Sequence, residues 1–392
     1  MIVANLVAAS LMQSAVEKDA SHRRDEGAAA RRRTLVRWMS GQWEAGTDDA
    51  LAEESLEPLK EAAWSEGVVV LVGDRLARVP GVPAAVRELC LDWSRGQAAA
   101  ELGRRARLQA VLARLEEAGI PTLVLKGAAL AQWLYPRPSL REFSDVDLLF
   151  ANRADAERAG DALAALGYAM PYRAGRFRHE LLCRSADGRL DLDLHWRLIE
   201  WPALDALPDF DALWSGRIPL PGLGEAAFGL GAPHALLHAC VHRASNLTAG
   251  LGDRLKWLYD LHLLAEALDA SAAWGRFVEV ARRAQACGIC AEGLAASAGL
   301  FGTVVPEDVT WALEQGRGAE PVDARRLQDW GYVQRMNFRA LRGWGEKAAW
   351  LGSRLVPPAG HMRELYGDRY GRAGLLWQRL RRAVMRVIGS RP

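Results

Sequence analysis

Several things are scarce in this chain of 392 residues, and each scarcity narrows what it can be. Net charge is one. Fifty Lys and Arg against 48 Asp and Glu leave +2 at pH 7, which gives no global pull toward nucleic acid or an anionic membrane. The cations are nearly all arginine, a matter of composition rather than function. Cysteines number five, Cys90, Cys183, Cys240, Cys287 and Cys290. An odd count in a long chain without a secretory leader fits a reducing cytoplasm. Long apolar runs are missing too. Met1-Ile2-Val3-Ala4-Asn5-Leu6-Val7 has no basic segment and meets Gln13, Glu17, Lys18 and Asp19 too soon for a signal peptide or a span. Cys287-Gly288-Ile289-Cys290 lacks the second pair that a zinc ribbon needs and lies between helical stretches, so it reads as structural.

Apolar residues are plentiful. They make up half of the chain, enough for a sizeable core in two or three lobes. Residues 1 to 118 read as a helical lobe: Ala28 to Trp43, Asp48 to Trp64, then Gln97 to Ala118, where Leu102, Leu108, Val111, Leu112 and Leu115 recur near helical spacing. Val68 to Val72 is a β-branched run that also suits a short strand. From Gly231 the reading is helical again, over Gly231 to Asn246, Leu251 to Leu268, Ala272 to Cys287 and Val322 to Leu341. These helices are expected to form a bundle on the open side of a sheet.

The sheet itself is read from residues 119 to 200. Leu123 to Leu125 follow Pro121 and run into Lys126-Gly127, as a buried strand ending in a glycine turn would. A helix over Ala128 to Leu134 is stopped by Pro136 and Pro138. In Ser144-Asp145-Val146-Asp147-Leu148-Leu149-Phe150, alternation sets Asp145 and Asp147 on one strand face, where two carboxylates can hold one divalent cation. Asp155 to Leu166 reads as a helix closed by Gly167, followed by strands at Tyr168 to Tyr172 and Leu181 to Arg184. Arg189 to Trp196 then alternates strictly, so that Asp191, Asp193 and His195 share the face opposite the leucines. Like charges crowded on two strands call for a compensating cation or ligand. Replacing Asp145 or Asp147 with Asn is therefore expected to leave thermal stability without metal level or raise it.

The glycine turn, the aspartate pair and the later aspartate together resemble the nucleotidyltransferase superfamily of DNA polymerase beta-like folds, and more closely its uncharacterised bacterial branch. The matching residues are Leu125-Lys126-Gly127, Arg141, Asp145 to Leu149 and Asp193 to Trp196. Arg254-Leu255-Lys256-Trp257-Leu258-Tyr259-Asp260-Leu261 looks like the helical segment that follows the core in that branch. The similarity covers roughly residues 60 to 370. One departure is Gly127-Ala128, where the wider superfamily has Gly-Ser or Gly-Gly. This leaves phosphate contact at the turn to backbone N–H groups.

The resemblance implies an α+β fold: a mixed-sheet nucleotidyltransferase core at 119–200, the helical lobe at 1–118, a helical bundle at 201–355 and a basic tail at 356–392. It also implies an enzyme that moves a nucleotidyl or phosphoryl group from a nucleoside triphosphate to an acceptor hydroxyl with Mg²⁺ or Mn²⁺. Asp145, Asp147 and Asp193 are then the metal ligands and catalytic acids, with Asp193 rather than Asp191 the third. Gly127 admits phosphate close to the backbone at a positive φ, and the following helix adds its N-terminal partial charge. Lys126, Arg141 and Ser144 are candidates for phosphate contacts, with a surface salt bridge for Lys126 and Arg141 and a strand-start hydrogen bond for Ser144 standing level with that role. His195 orients a carboxylate or the acceptor.

Two other classes remain open at this level. One is a metal-dependent glycosyltransferase using the Asp-x-Asp pair, and the other a non-catalytic relative that binds a nucleotide or a protein; retention of three acids tells against the latter. No residue names the acceptor, whether small molecule, sugar, peptide or protein. His234, His238 and His242 fall at i, i+4 and i+8, but the outer pair stand ~12 Å apart along a helix, so packed or phosphate-facing histidines are favoured over a metal site. Leu375 to Ile388 sets Leu376, Leu380, Ala383, Val384 and Val387 against Arg379, Arg382 and Arg386. Docking on its own protein is the commoner use of such a helix, ahead of membrane or nucleic-acid contact.

Overall fold

The computed structural model of the chain describes residues 26–42, 53–171 and 179–355, and positions 374, 377, 378 and 381. Tyr172, Trp43, Asp48 and most of the Leu375 to Ile388 stretch lie outside the described residues.

The strands are β1 (Leu123–Val124), β2 (Asp145–Leu149), β3 (Tyr168–Ala169), β4 (Glu180–Ser185), β5 (Asp191–His195), β6 (Arg217–Pro219) and β7 (Phe228–Leu230). They form one mixed sheet in the order β3-β4-β5-β2-β1-β7-β6. At its centre β2 runs parallel to β5 and antiparallel to β1. The fold is α+β, as the resemblance implies.

Helices precede and cover the sheet: α1 (26–39), α2 (Glu53–Glu66), α3 (Val69–Leu76), α4 (Ala84–Glu117), α5 (Lys126–Trp133), α6 (Arg153–Leu163) and α7 (Phe210–Ser215). Period-2 alternation then sorts the core. Val146, Leu148, Leu192 and Leu194 pack on Leu108, Val111, Leu112 and Leu115 of α4 and on Ala156, Ala159 and Leu163 of α6. The opposite face, carrying Leu123, Leu125 and Leu149, joins a second apolar cluster with the C-terminal helices. Those helices are α8 (Ala232–Thr248), α9 (Leu255–Ala270), α10 (Trp274–Arg283), α11 (Cys287–Phe301), α12 (Glu307–Arg317), α13 (Trp330–Ala340) and α14 (Gly343–Leu355). The aspartates therefore point away from α4 and α6, toward the bundle.

Several expectations change. Val69 to Val72 belong to a helix, α3, with Val68 as its N-cap, because Val69 to Val72 and Leu76 are all buried and packing overrides the strand preference of β-branched residues. The helix expected from Gln97 starts at Ala84, just after Pro83, and runs unbroken to Glu117. Gly96 and Gly103 do not interrupt it, and a Cβ at either would meet no atom within 4 Å. Leu102 is 53% exposed and stands off the packed face that Leu108 to Leu115 form. The Cys287 to Cys290 stretch opens α11, whose first N–H groups bond Glu320; Gly288 N donates to its Oε2 at 2.9 Å. Both thiols are buried and pushed up in pKa, Cys287 by burial to about 12 and Cys290 by its contact with Cys240 and by burial. Such thiols are poor nucleophiles, in keeping with a structural role. Among the described residues no helix is long and apolar enough to cross a membrane.

Candidate active site

The register of two parallel strands builds the site. Asp145 pairs with Asp191, Asp147 with Asp193 and Leu149 with His195, so all six side chains emerge on one face. Asp147, Asp193 and His195 each offer a ligand atom, and these atoms lie within 4.8 Å of one another. Asp145 stands outside this cluster, exposed at the start of β2, where its Oδ1 accepts from Ser144 Oγ at 3.1 Å. Asp191 turns to the neighbouring strand β4: Ser185 N donates to it at 3.3 Å and Arg184 lies 3.9 Å away.

Lys126 closes the site from the next strand. Its φ of +49° is a left-handed conformation rare for a side chain with a Cβ, and residues held there cost on the order of 1–3 kcal/mol. That turn ends β1, starts α5 and lays Lys126 Nζ 2.6 Å from Asp147 Oδ1. Beside it, Leu125 N donates to Asp147 O at 2.9 Å, which fixes the strand against the turn. The positive φ expected at Gly127 thus falls one residue earlier.

Gly127 serves a different need. A Cβ there would stand 3.2 Å from both Arg141 Nη1 and Phe143 Cβ, so the glycine lets residues 141–143 cross close over the helix start. Neither neighbour can yield easily, one being ion-paired and the other next to backbone. Gly127→Val is accordingly expected to cost about 1–3 kcal/mol in chemical denaturation, through overpacking as well as any loss of ligand. Stability unchanged within error would show that the crossing is loose.

Charge in the site is unevenly held. Asp147 is 5% exposed. Burial opposes its ionised form, but Lys126 and His195, whose Nε2 lies 2.8 Å from Oδ1, outweigh it and keep the carboxyl well below its usual range. Lys126 is raised in turn: burial works against its charge, and Asp147, then Asp145 and Asp193, prevail. Asp193 goes the other way. Burial, offset in part by His195 and reinforced by Asp147, Glu180 and Asp145, pushes it up to about 7.

The signs separate the two acids. Because Asp193 lies above its unfolded value of about 4, the folded protein keeps a proton that the unfolded chain has lost, and stability falls as pH rises from about 4 to 7. In EDTA, Asp193→Asn is expected to gain stability relative to wild type between roughly pH 5 and pH 8. Urea titrations at several pH values check this, and a difference that stays constant across the range counts against it. The expectation that Asp145 or Asp147 can be replaced without loss of stability fails for Asp147, whose carboxylate Lys126 and His195 both hold.

The donors suit a divalent cation. Two carboxylates stand side by side, and both Lys126 and His195 take Oδ1 of Asp147, so that Oδ2 has no hydrogen-bond partner among the described residues. His195, bonded to a ligand carboxylate, occupies an orienting position of the kind that fixes metal ligands. Its Nδ1 faces Glu180 Oε2 at 3.8 Å.

Two expected phosphate contacts are placed differently from one another. Ser144 lines the cleft over Asp147, whereas Arg141, 5% exposed, gives Nε and Nη2 to the two oxygens of Asp260 at 2.8 and 2.7 Å. Tyr135 Oη donates to the same carboxylate at 2.7 Å. Asp260 had drawn no functional reading from the sequence, although it lies in the matched segment Arg254 to Leu261. Its signal is an acid among leucines on a helix, at a position that a buried partner must satisfy.

The cleft has a volume of about 220 Å³. One wall comes from β1, α5 and β2, the other from α8 and α9, where His238, His242, Arg254, Lys256 and Trp257 were not read as a unit from sequence. His238 and His242 are neutral near pH 7: burial, then Lys126, lowers both, His238 to about 3. A larger cavity of about 830 Å³ lies beyond Tyr135. It contains none of the clustered ligands.

A family model described as an uncharacterised nucleotidyltransferase matches residues 53–302. No curated protein and no solved structure gives a match. The matched span holds β1 to β7, the Asp147–Asp193–His195 cluster and the α8–α9 wall.

Proposed function

The chain belongs to the family of uncharacterised nucleotidyltransferases, and from that premise we propose that it transfers a nucleotidyl group from a nucleoside triphosphate to an acceptor hydroxyl. The observation that carries this reading is the β2–β5 register, which brings Asp147, Asp193 and His195 to one buried point at the edge of a cleft.

Asp147 and Asp193, with Asp145 at the rim, would hold Mg²⁺ or Mn²⁺, which when bound neutralises phosphate charge and makes an acceptor hydroxyl more acidic. The protein's own residues do the rest. Lys126 is pinned beside Asp147 and presents its ammonium to the entry of the cleft, where negative charge gathers on the phosphates in the transition state. Asp193 takes the acceptor's proton as the acceptor oxygen bonds to the α-phosphorus; the bond from that phosphorus to the bridging oxygen breaks and pyrophosphate leaves. His195 keeps Asp147 oriented throughout. The apolar wall of Leu125, Leu130 and Leu230 limits water in the cleft.

Label position tests this. Purified protein is incubated with each of the four nucleoside triphosphates, Mg²⁺ or Mn²⁺, and cell extract. Transfer of α-label with release of pyrophosphate is expected. Transfer of γ-label instead would make the enzyme a kinase on the same scaffold, and turnover with nucleotide sugars alone would replace the reading with glycosyl transfer.

A further inference from the structure

The arginine that the sequence offers for phosphate is already engaged by Asp260, which raises the question of what else in the cleft could hold a polyphosphate. Lys126 is held by Asp147 as Arg141 is by Asp260. Lys256 and Arg254, on the α9 side, are cations of a different kind. Neither has a carboxylate within salt-bridge distance among the described residues. Arg254 is placed over the ring of Trp257, 5.4 Å from its centroid. Both line the cleft and both are half-buried.

The stem of Lys256 is fixed and its head is not. Gly67, at φ +68°, sits so close to the lysine that an added Cβ would lie 2.4 Å from Cδ, and Glu66 Oε2 accepts from Leu255 N at 2.7 Å. The α2–α3 turn thus clamps the start of α9 and directs the ammonium inward. There it feels Arg141 and Arg254 more strongly than Asp260 or Asp145; burial first, then those two arginines, lower its pKa. A half-buried ammonium crowded by guanidinium groups, with no anion in contact, is an arrangement that a bound anion relieves. The neutral His238 and His242 cannot supply that service as cations.

We propose that Lys256, with Arg254 beside it, is the polyphosphate-binding cation of the cleft, and that it grips the donor's β- and γ-phosphates from the wall opposite Asp145 and Asp147. This deepens the nucleotidyl-transfer reading and rests on it for the identity of the donor. The binding site itself can be tested without turnover.

Calorimetric titration of the full chain with inorganic tripolyphosphate and Mg²⁺ is the measurement. Lys256→Met keeps the stem against Gly67 and removes only the charge, so it is expected to weaken binding about tenfold or more, while Lys256→Arg stays within a few-fold of wild type. Arg254→Met is expected to weaken it as well, by less, since its guanidinium is shared with Trp257. With a triphosphate that the enzyme turns over, Lys256→Met raises KM more than it lowers kcat. A folded Lys256→Met protein that binds tripolyphosphate as wild type does overturns the assignment, as does wild type that fails to bind it. If tripolyphosphate binding responds as expected but no triphosphate is turned over, the anion site stands and the transfer reading fails.

Discussion

Replacing Asp147 with Asn is expected to lower turnover by ~10³-fold or more, because the lost carboxylate acts mainly on charge that develops in the transition state. The structure adds a second consequence. Asp147 is the shared partner of Lys126 and His195, and its ionised form is the stabilised one, so the variant should also be less stable above about pH 4, where that contribution is fully present. Activity is therefore compared below the melting transition of the variant. Asp145→Asn provides the control for folding: Asp145 is exposed and, among the described residues, its side chain bonds only its neighbour Ser144, so its loss should reduce turnover with little effect on melting. Asp147→Asn retaining turnover within tenfold of wild type would remove the buried cluster from the mechanism.

The parts of this site that were legible in the sequence are those written as local alternation. Asp145, Asp147, Asp191, Asp193 and His195 could be assigned faces because strand period is fixed at two residues, and the helical bundle could be placed opposite α4 and α6 because the leucines take the other face. Pairing between strands is not local. That Leu149 faces His195, which puts Asp193 and not Asp191 beside Asp147, follows from a register that no spacing within either strand specifies. The three-residue strands β6 and β7 have too few residues for any period to show. Helix α11, rich in Gly and Ala and buried along much of its length, lacks the polar stripe by which a helix is recognised.

Ion pairing was the hardest thing to foresee. Arg141 and Asp260 are 119 residues apart, and Lys256 is separated from its packing partner Gly67 by nearly half of the chain. An arginine close to an Asp-x-Asp pair suits phosphate and a salt bridge equally on chemical grounds, and nothing in its neighbours reveals which distant carboxylate has claimed it. The same blindness concealed Lys256, whose interest arises from the partners it lacks.

The claim on Arg141 leads to the second large effect. Asp260→Ala leaves a guanidinium that is 6% exposed without its carboxylate and deprives the Tyr135 hydroxyl of its acceptor, so it is expected to cost about 3–5 kcal/mol in chemical denaturation. Arg141→Met should cost a similar amount, since it strands the Asp260 carboxylate with the tyrosine alone. The double variant Arg141→Met with Asp260→Leu should recover a large share of the loss, because a well-packed apolar pair replaces two desolvated charges, and the cycle gives the coupling between them. Kinetics then tell a clamp from a ligand. If Arg141 only holds residues 141–143 across the start of α5, both single variants disturb the Lys126–Gly127 turn in the same sense and change KM together. If Arg141 contacts phosphate, Arg141→Met raises KM, whereas Asp260→Ala frees the guanidinium for the nucleotide and lowers it. Single variants that each cost less than about 1 kcal/mol would show that the pair is solvated and that the turn is held by other means.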